Sequence, residues 1–312
     1  MSLLIVYNIF GDNENYEFYK KDIDSIFWHI NNYQNKSNIK LVISAVLKSD
    51  YIIEKIKEEY SNQLTIFRYD DLYSVQVTAN KTILESIDYF QIDFLGYLYI
   101  SAGVTLNKNK DFFPKIIKYL NEDFFGVIHI EVDEDNGPNH LVFDEPNNEF
   151  STLKHGEFLS LNIAVFHKVL KDNYGVPLSD IFGRESCENT FFYLCKGVNR
   201  DYVIMNNSMC THKRNMDSVV PNRNSKGQIL KYYHTKDENG KIYPLLWGKT
   251  YEKICEDDDA MKIGLSKLFG CDKYDFDIEL FINNKNLIDS IKRCLFTNKN
   301  ELDYDLIQFE II

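Results

Sequence analysis

The sequence predicts an α/β protein in which a mixed, mostly parallel central sheet is flanked by helices, with a helical extension at its C-terminal end. Three observations lead there. Over the first hundred residues, short apolar runs alternate with segments whose apolar residues recur at helical spacing. The runs are continuous, as expected of strands covered on both faces. Glycine and proline number only 14 and 6 among 312 residues, which favours long regular elements over a loop-rich scaffold.

Each element follows in order. "LLIVYNI" is the first strand, and Ile23, Ile26, Phe27 and Ile30 mark one face of an amphipathic helix. "IKLVISAVL" is the second strand. Ser49 and Asp50 cap a helix whose Ile52, Ile53, Ile56 and Tyr60 share a face. "LTIFRY" is the third strand, a short helix carries Ile83, Leu84, Ile87 and Phe90, and "LGYLYI" is the fourth strand. A βαβαβ series of this kind implies parallel strands joined by right-handed crossovers. Beyond it come a helix around Phe113 to Leu120, a strand "FGVIHIEV" ending in Asp133-Glu134-Asp135, and a polar connection from Asn136 to Asn148. Then follow a strand "LSLNIAVF", a helix from His167 to Asn173, a helix opening near Cys187, and a short strand from Tyr202 to Met205. The small polar residues between Asn215 and Lys226 read as a loop. They divide the chain into a main domain, 1–215, and an extension, 216–312, with helical patterns such as Leu287, Ile288, Ile291 and Leu295.

Composition narrows the function. Lys plus Arg total 35 and Asp plus Glu total 47, a net charge of −12. A general affinity for nucleic acid or anionic lipid is therefore not expected, and any bound phosphate must be met locally by a few basic side chains, backbone amides or a metal. The six cysteines all lie in the second half without a Cys-x-x-Cys pair, which points to reduced thiols and not to a zinc cage. "MSLLIVYNIFGD" lacks the basic start of a signal peptide, and no apolar stretch is long enough to span a membrane. A soluble, cytoplasmic protein is the expectation.

Four places could carry chemistry or contact a ligand. Glu188, in "ESCENTFFYLCKGV", falls in the first turn of a predicted helix, where unpaired amides and the macrodipole keep a carboxylate ionised. Such a group can act as a general base, and the same placement also serves helix capping. Asp133 and Asp135 alternate at a strand end, a spacing that can hold Mg²⁺ or Mn²⁺ or simply form an acidic turn. His212, beside Lys213 and Arg214 after a strand, could contact a metal or a phosphate. Trp247 beside Gly248 offers an indole for stacking on a sugar or for packing. The chain has no GxGxxG, P-loop or serine-elbow sequence, which argues against a Rossmann dehydrogenase, a P-loop kinase and an α/β-hydrolase.

The order of these pieces resembles the glycosyltransferases of the GT-A fold, the nucleotide-diphospho-sugar transferases, from about Leu3 to Arg214. The likeness is carried by "VQVTANKTILESIDYFQIDFLGYLYISAGVTL", "LNIAVFHKVLKDNYGVPLSDIF" and "GRESCENTFFYLCKGV" followed by "YVIMNNSMCTHK". It implies that Asn80 is the family's Asn before a helix, and that Ser101, Ala102 and Gly103 stand where the family keeps its metal-binding Asp-x-Asp. Tyr7 and Asn8 would border the nucleotide base. Glu188 would be the base that activates the acceptor hydroxyl, with Asn189 replacing a second acid, and His212 would lie near the diphosphate or its metal.

The implied reaction moves a sugar from a nucleotide-sugar donor to a hydroxyl of a glycan or lipid-linked glycan acceptor, with inversion at the anomeric carbon. A divalent metal (Mn²⁺ or Mg²⁺) is held by Asp133, Asp135 and His212, or the site is metal-independent and meets phosphate with amides and side chains such as Lys213 and Arg214. A nucleotidyl- or phosphate-group transferase, and a binding protein that has kept the fold without transfer activity, are the alternatives.

Overall fold

The computed structural model describes residues 2–10, 15–46, 50–61, 63–69, 75–108, 111–122, 124–134, 150–152, 161–175, 177–178, 191, 194–195, 197–213, 232–236, 242–246 and 307–310. The parallel half expected from the sequence is present. β1 (Leu3–Phe10), β2 (Ile39–Val46), β3 (Thr65–Arg68) and β4 (Gly96–Ser101) lie in the order β3-β2-β1-β4 and pair in parallel. Leu3, Leu4, Ile5, Val6 and Ile9 of β1 are wholly buried, and each such burial contributes about 1.5–3 kcal/mol. Helices α1 (Tyr16–Asn32), α2 (Asp50–Tyr60) and α3 (Val75–Phe90) connect these strands. Ile23 and Ile26 of α1 and Ile52, Ile53 and Ile56 of α2 are buried on their expected faces.

β2 and β3 run outward from one side of β1, while β4 lies on its other side. The carboxyl ends of β1 and β4 thus flank the topological switch point, where open α/β sheets bind ligands.

Beyond β4 the sheet becomes mixed. A two-residue turn leads into β5 (Val104–Leu106), followed by α4 (Phe112–Asn121) and β6 (Phe125–Glu134). β7 (Phe150–Thr152), β8 (Ile163–His167), α5 (Lys168–Tyr174) and β9 (Asp201–His212) complete it. β8 is antiparallel to both β4 and β6, and β9 pairs in parallel with β6. His167 caps α5 by accepting the Val169 amide on Nδ1 at 3.1 Å.

β9 differs most from the sequence reading. The apolar pattern predicts a strand ending at Met205, yet the strand continues through Asn206, Asn207 and Ser208 to His212. Both its edges are occupied, by β6 on one side and by β7 and then β5 on the other. Pairing stops at Met205 and resumes at Cys210, opposite Val132 of β6 and Leu106 of β5, so the ladders on either side carry the strand across the polar residues. A register shift between Ile130 and Val132 of β6 accompanies the extension.

The described residues of the extension form a separate antiparallel sheet, ordered β11-β10-β12, from β10 (Tyr232–Lys236), β11 (Ile242–Leu246) and β12 (Ile307–Glu310). The expected helix around Leu287 to Leu295, the loop from Asn215 to Lys226, the polar connection from Asn136 to Asn148 and Trp247 lie outside the described residues.

Candidate functional site

The site is built around Ser101, Ala102 and Gly103, which turn the chain from β4 into β5. Gly103 adopts φ +95°, a conformation costly for any residue with a Cβ. A Cβ there would also lie 2.5 Å from the Lys213 carbonyl oxygen and 3.1 Å from Phe18 Cζ. Main chain therefore packs on main chain at this point. The Lys213 amide donates to the Gly103 carbonyl at 2.9 Å, and β5 pairs with β9 so that Val104 stands opposite His212.

The ends of β1, β4 and β9 thus converge on one turn. Ser101, Ala102, Gly103, His212 and Lys213, expected near a donor phosphate, come together there with Asn8, expected at the nucleotide base. Lys213 is exposed, and Ser101, Ala102 and His212 are half-buried.

The amides of the turn face inward. The Ser101 amide donates to Asn162 O at 2.8 Å, and that of Ala102 to Asn8 O at 2.9 Å. Gly103 donates to Asp22 Oδ2 at 2.7 Å. The Ser101 hydroxyl is also directed to Asn162 O, at 3.0 Å. These amides hold the turn in place and do not form an open cradle for an anion.

Asp22, in the middle of α1, is the residue that sequence reasoning missed. Its carboxylate is 1% exposed and accepts three hydrogen bonds. They come from Gly103, from Thr105 Oγ1 at 2.7 Å and from the Tyr7 hydroxyl at 2.9 Å. Burial pushes its pKa up to about 6, against the lowering effect of those three donors.

The same face of α1 continues along β5. Ser25 accepts from the Leu106 amide at 3.0 Å, and His29 Nε2 contacts Asn107 O at 2.9 Å. Burial holds the His29 pKa below its ordinary value. The available signal was Asp22, Ser25 and His29 at i, i+3 and i+7, running beside the apolar Ile23, Ile26 and Ile30.

Other expected residues take supporting positions. Tyr7 is fully buried, so its side chain reaches the turn only through Asp22, and burial raises its pKa. Asn8 is 1% exposed, and its Nδ2 donates to the Tyr99 hydroxyl at 3.3 Å. Asn80 lies within α3 and not before a helix, because α3 begins at Val75. It is buried and grips the Leu178 backbone, donating to its carbonyl at 2.7 Å and accepting its amide at 3.1 Å. These three side chains order the walls without facing solvent.

Asp133 stands in β6 opposite Thr211, and Glu134 holds the position opposite His212. Asp135, Glu188, Asn189 and Arg214 lie outside the described residues. Among the described residues, no group of three or more His, Cys, Asp or Glu side chains could hold a metal ion. Ser101, Ala102 and Gly103 carry no carboxylate, and Asp22 already accepts three donors, so the turn itself does not fit a divalent cation. No described helix is long and apolar enough to cross a membrane.

A mixed sheet with a parallel β3-β2-β1-β4 half, and a turn at the end of β4 beside its switch point, is the GT-A-like architecture. Among solved structures, the chain is similar to S. aureus TarS 1-349, with a TM-score of 0.54 and 10% identity over 98% of this chain and 75% of that one. It is also similar to S. aureus TarS 1-349 in complex with UDP-GlcNAc, with a TM-score of 0.53 and 9% identity over 98% of this chain and 76% of that one. No family model and no curated protein matches the chain.

Proposed function

We propose that the chain is a glycosyltransferase that moves a sugar from a nucleotide-sugar donor to a hydroxyl of a glycan or lipid-linked glycan. The observation that carries this reading is the convergence of β1, β4 and β9 on the Ser101-Ala102-Gly103 turn at the switch point of a GT-A-like sheet. Such folds admit several chemistries, so the reading rests on the site as well as the fold. The UDP-GlcNAc in the similar TarS structure supports a nucleotide-sugar as donor.

In this reading the diphosphate lies over the turn. Its charge is met by Lys213 and His212 from the end of β9. If a divalent ion takes part, Asp133, Asp135 and His212 would hold it beside the turn, where it would neutralise the departing diphosphate. Residues 1–215 form the transferase domain and 216–312 its extension. Glu188 is the base that takes the acceptor proton as the anomeric carbon inverts.

Glu188→Gln keeps the shape of that side chain and removes its basicity. Donor-dependent transfer to an acceptor is expected to fall about a hundredfold, with nucleotide affinity unchanged. Transfer at the wild-type rate would remove Glu188 from the mechanism. Nucleotidyl transfer on the same sheet would need a bound metal, so transfer that persists in a chelator would weigh against that alternative.

A further inference from the structure

We propose that Asp22 is the positioning residue of the donor turn, fixing the Gly103 and Thr105 hydrogen bonds so that Lys213, bonded through its main chain to Gly103, faces the nucleoside diphosphate. The inference rests on the donor-site reading above and extends it to a residue without direct contact to the ligand.

Several features carry it. Asp22 is the one carboxylate among the described residues that bonds to the turn, and its three donors come from three elements: Tyr7 from β1, Gly103 from the turn and Thr105 from β5. A buried carboxylate is costly, and this one is spent on the turn beneath the ligand site. The hydrogen-bonded path is continuous, from Asp22 to the Gly103 amide and from the Gly103 carbonyl to the Lys213 amide. Ser25 and His29 extend the same helix face along β5 to Asn107. β5 is thereby held between β9 on one edge and α1 side chains on the other, so the turn cannot shift without breaking contacts on both sides. Lys213 is exposed at the end of this chain of bonds, where a phosphate can reach it.

The test uses the full chain and three variants. Asp22→Ala removes all three acceptor bonds. Thr105→Val removes one of them at a half-buried position and covers the case in which Asp22→Ala fails to fold. Asp22→Asn keeps the geometry, because its amide oxygen can accept from Gly103 and Tyr7 while Nδ2 donates to the Thr105 hydroxyl. Calorimetric titration with UDP, GDP and CMP, well below each variant's unfolding temperature, gives the dissociation constant beside the melting temperature.

For the nucleotide that the wild type binds, Asp22→Ala is expected to weaken affinity about tenfold, the scale of one lost hydrogen bond. Thr105→Val is expected to weaken it about threefold by the same scale. Asp22→Asn should stay close to wild type. A residue that only stabilised the fold would lower the melting temperature and leave the dissociation constant alone, and that result would overturn the inference. So would equal losses in Asp22→Asn and Asp22→Ala. A wild-type chain that binds none of the three nucleotides would overturn the donor-site reading and the inference together.

Discussion

Gly103→Val is expected to lower the stability of the chain by about 4 kcal/mol and to abolish nucleotide binding. Two costs add. A β-branched residue at φ +95° is strained by about 1–3 kcal/mol. Its Cβ would also stand 2.5 Å from the Lys213 carbonyl oxygen, and backbone cannot swing away as a flexible side chain can. Overpacking of that kind adds about 1–3 kcal/mol. The loss is a large part of the roughly 5–15 kcal/mol that holds a domain folded. It also falls where β4, β5 and β9 meet, so the proposed donor site is damaged first. Urea denaturation measures the loss, and Gly103→Ala should fall between wild type and Val. A variant as stable as wild type would mean that the turn is not closed on Lys213.

The second large effect is a gain. Asp22→Asn is expected to stabilise the chain at pH 7.5 by about 3 kcal/mol, and the gain should shrink towards pH 4. The sign follows from the direction of the shift. Burial raises the folded pKa from 3.8 to about 6, so between those values the folded chain holds a proton that the unfolded chain has released. Stability therefore falls as pH rises through that window, and above it the full cost of the buried anion is present. A shift of that size corresponds to about 3 kcal/mol. Asn carries no charge at any pH and escapes the cost. Urea denaturation of both proteins at pH 4 and 7.5 isolates the group, since every other titration is common to the pair. A difference that does not vary with pH would show that Asp22 does not titrate in this window.

Much of the fold was legible because the leading strands are buried on both faces and so appear as unbroken apolar runs. β1 and β2 needed no knowledge of their neighbours. β9 was only half legible, since the strand is carried past Asn206, Asn207 and Ser208 by the pairing of Cys210, Thr211 and His212 with β5 and β6 and not by the preferences of those polar residues. β5, only three residues long, becomes an element through pairing with β9.

The candidate site divides in the same way. Ser101 to Gly103, His212 and Lys213 could be placed by their order after strands, since strand ends at a switch point converge. The work of Tyr7, Asn8 and Asn80 could not, because each spends its side chain on a partner distant in sequence: Asp22, Tyr99 and Leu178. Asp22 was hidden for another reason. An acidic residue beside the apolar stripe of an amphipathic helix reads as the solvent boundary, and only the position of the turn makes it interior.

The central claim, a nucleotide-sugar donor site at the β4–β5 turn, is tested most directly by thermal denaturation with UDP, GDP, CMP and their sugars, each with and without Mn²⁺. A ligand that binds only the folded chain must stabilise it, by about 2.7 kcal/mol at a hundred times its dissociation constant. The expected result is a rise in melting temperature with one nucleotide and its sugars, lost in Gly103→Val. No rise with any nucleotide, in either metal condition, would contradict the account.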